Sequence, residues 1–248
     1  MGTVLEDLAA EQRQLDRLLA GLRPDQWARP SACSGWTVAD VVLHLAQTEE
    51  AVVAALRAGA DASAGAVDWA GLGSTVEAAM AAYVDAERGS VQTLLARWRA
   101  AAASSLQALR AADPDRRVQW VTNAMKPASL ATTRLAEHWT HGHDIADPLG
   151  SAYADTERLR HVAWLGHATL AYAFAEAGER PIPVRCRLLG PDGGVWDLGP
   201  ASAEVVITGS GVDFCRVGAR RLGPAEADLE AVGPGADRVL ARLRNFAI

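Results

Sequence analysis

The chain has 248 residues, half of them hydrophobic, and 30 acidic residues against 24 basic ones give it a net charge of −6. That is apolar material for one large domain or two modest ones, and the acidic balance excludes the basic face that a nucleic-acid partner requires. No apolar run approaches the roughly 18–20 residues of a membrane span, so a membrane is not expected as a partner either.

The N-terminal segment is charged and amphipathic and lacks the apolar centre of a signal peptide, so a cytoplasmic location is expected. Leu5, Leu8, Gln12, Leu15, Leu18, Leu19 and Leu22 recur at helical spacing and predict a first helix. A loop with Pro24 and Pro30 follows, up to Gly35. Thr37 and Asp40 form a capping box with Asp in the Glu position, opening a second helix that runs to about residue 59. A Gly/Ala/Ser stretch then precedes helices expected at about 73–88, 90–112, 128–146 and 155–178. Asp113-Pro114 ends the second of these four, and Pro148 with Gly150 ends the third.

The character changes at Gly178. Arg180-Pro181-Ile182-Pro183 reads as a linker. Strands are expected at 184–189 and 195–198, joined by the turn Pro191-Asp192-Gly193-Gly194, with further strands at 204–208 and 228–232. Short helices are expected at 212–221 and 236–246. The fold class is therefore mainly α: a helical bundle over 1–178, then a small α+β domain over 179–248.

Cys33, Cys186 and Cys215 are few, odd in number and far apart, which fits reduced thiols rather than a disulfide framework or a Cys-based zinc site. Only Lys126 among the basic residues is Lys; the rest are Arg, a usage that fits a GC-rich genome such as an actinomycete's.

The residues that invite chemistry are the histidines. Glu137 and His141 stand at i and i+4, on one face of a helix, where a carboxylate and an imidazole can grip one metal. His44 lies in the otherwise apolar run Val41-Val42-Leu43-His44-Leu45 and is the natural third ligand. Each has a plainer reading: a core histidine bonded to a carbonyl for His44, a solvent-face pair for the other two. Two His and one carboxylate would leave a position open, the layout of a catalytic zinc site.

Residues 27–47 contain Trp27-x2-Pro30-Ser31-x-Cys33-x-Gly35-Trp36-Thr37-Val38-x-Asp40-x3-His44. This pattern resembles the opening of the mycothiol-dependent maleylpyruvate isomerase family, part of the DinB-like metal-binding superfamily. Residues 117–150, especially 131–150, match as well, most closely an uncharacterised metal-binding branch. The segment 184–244 resembles the family's C-terminal domain, through Gly190-Pro191-Asp192-Gly193, Asp213-Phe214-Cys215 and Arg220-Arg221. The resemblance implies a DinB-like bundle with His44, Glu137 and His141 as metal ligands. It implies an arginine required for activity at Arg220 or Arg221, the latter the better match; the plainer reading of both is a solvated basic patch.

The chain departs from the branch in having His at 138 and 143. His143 is either an acid/base near the metal or a residue off the metal face, and Asp144 is placed to orient an imidazole. Cys33 reads as a structural thiol. Three functions follow. In the first, zinc or another divalent transition metal binds a low-molecular-weight thiol such as mycothiol and activates it for isomerisation or thiol transfer on a small electrophile. In the second, a metal enzyme uses no thiol and acts as a hydrolase, isomerase or cyclase. In the third, the protein binds metal or ligand without catalysis. Substrate and oligomeric state are not legible, although the loops 60–72, with Trp69, and 120–127, with Trp120, are expected to shape a pocket.

Overall fold

The computed structural model describes residues 2–58, 75–121 and 123–245. The chain forms two compact units, residues 1–153 and 154–247. The expected boundary lies at 178, whereas the helix Leu159–Glu176 is counted here with the second unit.

In the first unit, α1 (Val4–Ala20) opens with a capping box in which the Thr3 N–H donates to Glu6 at 2.7 Å. Its buried face carries Leu8, Leu15 and Leu19 at helical spacing. A single turn of 3-10 helix, Pro24–Ala28, leads into the loop before α2 (Val38–Ala58). Then come α3 (Val76–Ala86), α4 (Val91–Ala111), the hairpin β1 (Val118–Trp120) and β2 (Asn123–Met125), and α5 (Pro127–Leu149). The hairpin replaces part of the loop expected over 120–127. Its three-residue strands are too short for an alternating pattern to register. The expected loop at 60–72, with Trp69, and the start of the helix expected from 73 lie outside the described residues.

Most of α2 and α5 is buried, so they are the central helices of this unit. α2 packs along α4, and α1 along α5 and α4. The core between them includes Leu19, Val41, Val42, Leu45, Trp98 and Ile145. Pro127 occupies the first turn of α5, where its missing N–H costs nothing, and Gly150 closes the helix at φ 63°.

In the second unit, α6 (Leu159–Glu176) is followed by β3 (Val184–Leu189), β4 (Val195–Leu198), β5 (Val205–Ser210), α7 (Gly211–Gly218), β6 (Leu229–Val232) and α8 (Ala236–Arg242). The sheet order is β4-β3-β5-β6. β3 pairs antiparallel with β4 and parallel with β5, and β5 pairs antiparallel with β6. Val184, Cys186 and Leu188 of β3 point inward and alternate with outward residues, the pattern of a sheet covered on one face. α7 and α8 each pack against α6, and all three pack against the sheet, with Phe174, Phe214 and Val239 fully buried. The fold class is as expected: mainly α, with a helical unit followed by an α+β unit. Among the described residues, no helix is long and apolar enough to cross a membrane.

Candidate metal centre

The two central helices bring the three expected ligands together. His44 comes from α2, and Glu137 and His141 from consecutive turns of α5. Glu137 Oε2 lies 3.4 Å from His44 Nε2 and 3.3 Å from His141 Nε2. Nitrogen and oxygen donors about 2.05 Å from one tetrahedral zinc ion stand about 3.3 Å apart, so the donor set and its spacing fit such an ion. The imidazoles are edge to face, with centroids 5.1 Å apart. Both are nearly buried, whereas the Glu137 side chain is 34% exposed, so the group opens on the carboxylate side.

His141 is held from behind. Its Nδ1 lies 2.9 Å from Asp144 Oδ2, one turn along the same helix, and the Cys33 thiol donates to that same oxygen at 3.0 Å. Cys33 Sγ is 3.6 Å from His141 Nδ1. Asp144 therefore does orient an imidazole, that of His141. Cys33, His141 and Asp144 form a second close group of donor atoms. Carboxylate–nitrogen and carboxylate–sulfur spacings of 2.9 and 3.0 Å are those of hydrogen bonds. Zinc co-ligands would stand about 3.3–3.5 Å apart.

The loop before α2 supports both histidines. The Ser31 hydroxyl donates to the Trp36 carbonyl and accepts from the Cys33 N–H, and the Trp36 N–H closes a turn on the Cys33 carbonyl. Gly35 takes the φ of 79° that this turn needs. The Ala32 N–H donates to the Asp144 carbonyl at 2.9 Å, and the Trp36 ring packs 5.2 Å from His44. The spaced pattern over residues 30–44 is thus a scaffold for the centre.

Burial drives the His44 pKa down, against the Glu137 carboxylate that would raise it. Burial works to raise Glu137, but hydrogen bonds from His141 and His44 hold it well below the usual carboxylate range. Burial likewise works to lower His141, but Asp144, Cys33 and Glu137 together push it well above the usual imidazole range. The His141 ring thus lies between two carboxyl groups, Asp144 at Nδ1 and Glu137 at Nε2.

Beneath the centre runs a polar network invisible to sequence periodicity. Arg134 Nε donates to Glu49 at 2.8 Å and its Nη2 to the Thr48 hydroxyl at 2.8 Å. Ser105 also bonds Glu49, and Thr48 Oγ1 donates to the His44 carbonyl at 2.8 Å. His138 is fully buried here, its Nδ1 2.8 Å from the Arg134 carbonyl.

His143 stands two residues beyond His141, about 200° round the helix. Its Nδ1 is 3.3 Å from Asp147, and its ring meets Trp139 and Tyr153 edge to face. In the second unit, Arg220 sits at φ 56° after α7, and Arg221 Nη1 donates to the Ala219 carbonyl. Both are exposed and line a cavity of about 470 Å³ with Val217, Leu222 and Pro224. Cys186 and Cys215 are buried in the same unit, and burial pushes the Cys186 thiol up to about 12.

Comparison with known proteins places these features in context. The family model described as the mycothiol maleylpyruvate isomerase N-terminal domain matches residues 8–146. Two uncharacterised proteins from two strains of Mycobacterium tuberculosis are each 37% identical over 220 residues, which is 86% of this chain and 83% of theirs. Among solved structures, the mycothiol-dependent maleylpyruvate isomerase aligns with a TM-score of 0.62 at 18% identity. A histidine-to-alanine variant of that enzyme aligns at 0.63 and 16%. Each alignment covers 93% of this chain and 95% of the other, and at this identity the likeness is one of fold.

Proposed function

The chain belongs to the mycothiol maleylpyruvate isomerase family, and from that membership we propose that it is a metal-dependent enzyme that activates a low-molecular-weight thiol such as mycothiol for reaction with a small electrophilic substrate. The reaction is isomerisation or thiol transfer, and the metal is zinc or another divalent transition metal. The observation that carries this reading is the spacing of His44 Nε2 and His141 Nε2, 3.4 and 3.3 Å from one carboxylate oxygen of Glu137. Three protein donors leave a position for an outside ligand, and a zinc ion held so supplies chemistry by lowering the pKa of a coordinated thiol to give thiolate near neutral pH.

The residues divide the remaining work. Burial keeps His44 neutral, so its Nε2 lone pair is available. Glu137 is ionised and faces the opening. In an isomerisation, the thiolate sulfur adds to an activated carbon–carbon double bond and the resulting single bond rotates. Cleavage of the carbon–sulfur bond then returns the thiolate. In a transfer, that bond is kept and the carbon that received the electron pair takes a proton from solvent. Arg220 or Arg221 would bind a carboxylate of the substrate or the thiol cofactor. His143 is turned to Asp147, Trp139 and Tyr153, off the face that carries Glu137 and His141.

The test is spectroscopic. Cobalt-loaded protein titrated with mycothiol is expected to develop a sulfur-to-cobalt charge-transfer band, lost in His44→Ala, Glu137→Ala and His141→Ala. Protein that takes up no metal overturns the ligand set. A loaded protein whose spectrum ignores thiol overturns the thiol chemistry and leaves a thiol-independent metal enzyme.

A further inference from the structure

The donors behind His141 come from two distant parts of the chain and meet at one oxygen. Asp144 Oδ2 takes the Cys33 thiol at 3.0 Å and the His141 Nδ1–H at 2.9 Å. Asp144 is 2% exposed, so both donors reach a buried carboxylate. The loop bearing Cys33 is fixed to the same residue a second time, through the Ala32 N–H on the Asp144 carbonyl at 2.9 Å. An imidazole whose Nδ1–H is committed to a carboxylate turns Nε2 the other way, as the atom that would bind a metal, and loses rotational freedom about χ2. His141 Nε2 is the atom 3.3 Å from Glu137.

We infer that Asp144 and Cys33 are positioning residues of the metal centre: the thiol holds the Asp144 carboxylate, and the carboxylate fixes His141 with Nε2 on the metal side. Cys33 acts here as a hydrogen-bond donor, neither as a ligand nor as a nucleophile. Asp144 turns its carboxylate toward the imidazole, and Cys33 keeps that carboxylate from swinging away. This inference rests on the metal-centre reading above and assigns the residues that tune it.

The test is zinc affinity, measured on the full chain by competition with a chromophoric chelator, with thermal melts of the metal-free variants alongside. Asp144→Asn keeps the shape but offers a weaker acceptor, and is expected to lower affinity about 10–100-fold. Cys33→Ala is expected to lower it by a smaller factor. Cys33→Ser, whose hydroxyl donates as the thiol does, is expected to restore affinity to within about threefold of wild type. This rescue separates positioning from bulk stability, and it keeps the test decisive if Asp144→Asn fails to fold.

Three outcomes overturn the inference. Affinity in both Asp144→Asn and Cys33→Ala equal to wild type shows that the pair does not act on the metal. A sulfur-to-cobalt band in the thiol-free cobalt protein that vanishes in Cys33→Ser makes Cys33 a ligand. Wild type that binds no zinc removes the metal reading itself, a failure distinct from the other two because it appears before any variant is made.

Discussion

Arg134 and Glu49 form an ion pair sealed from water, with Nε and Oε1 2.8 Å apart and side chains 2% and 0% exposed. The pair joins α5 to α2, the two helices that carry His44, Glu137 and His141. Arg134 lies one turn before Glu137, and Glu49 lies just over a turn beyond His44. Thr48 extends the link, accepting from Arg134 and donating to the His44 carbonyl.

Removing one partner leaves an uncompensated charge in the core, so Arg134→Ala or Glu49→Ala is expected to cost about 3–5 kcal/mol in chemical denaturation. The double change Arg134→Met/Glu49→Leu removes both charges together and is expected to be far milder than either single change. Ser105 and Thr48 keep carbonyl acceptors at Ala102 and His44 in that variant. Its zinc affinity is expected to fall even so, because the helices lose a fixed register beneath the ligands.

The centre should also show itself through protons. His141 is raised well above its ordinary value in the metal-free protein and so is charged near neutral pH. Metal uptake at Nε2 must displace that proton while Nδ1–H stays on Asp144. About one proton is expected to leave His141 per ion bound, and affinity is expected to fall about tenfold per pH unit below the folded pKa of His141. Calorimetry in buffers of different ionisation heat measures the release.

Stability without metal follows the opposite sign. The raised His141 contributes stability that is full below its unfolded pKa of about 6.5 and is lost as pH rises through the higher folded value. His44 is lowered, so its contribution runs the other way: present above about 6.5 and lost as pH falls through the folded value. The part owed to His141 is therefore read as the difference in melting temperature between wild type and His141→Ala across a pH series.

Asp40 ties the supporting loop to α2. Its carboxylate accepts from the Thr37 N–H at 2.9 Å and the Thr37 hydroxyl at 2.8 Å, and Arg88 Nε donates to it at 2.8 Å. Burial works to raise the carboxyl, and these donors outweigh it. Asp40→Ala is expected to cost about 1–2 kcal/mol, the scale of a lost cap. The lowered pKa means the contribution is present above the unfolded value of about 3.9 and disappears as pH falls through the folded one. Thermal melts of wild type and variant should converge in acid.

The capping box at Thr37 and the i, i+4 pair at Glu137 and His141 were legible because both are local patterns with fixed spacing. His44 was legible for another reason: a polar residue in an apolar run needs a partner. The bond from Cys33 to Asp144 was not legible, because it joins residues 111 apart in the chain, and no local spacing records such a meeting. The Arg134–Glu49 pair was not legible either, because a charged residue on a helix reads as solvated until its helix is known to be central. The second unit was legible nearly strand by strand, because alternation in β3 and the Pro191–Gly194 turn are again local signals.

Gly142, between His141 and His143, tests how closely the centre is packed. Gly in a helix interior usually costs about 0.5–1 kcal/mol relative to Ala, so replacing it should ordinarily stabilise. Here a Cβ would be driven into the Tyr153 ring, which lies across the helix at this position. Tyr153 is not free to swing aside: its hydroxyl donates to Glu11 Oε1 at 2.7 Å and its ring packs 5.2 Å from His143. Gly142→Ala is therefore expected to reverse the usual sign and destabilise by about 1–3 kcal/mol, the scale of overpacking. Tyr153→Ala opens the space and should itself destabilise, but Gly142→Ala made in that background should cost little or help. A double-mutant cycle by denaturation measures the coupling. Additive effects of the two changes would mean that Tyr153 does not press on Gly142 in solution.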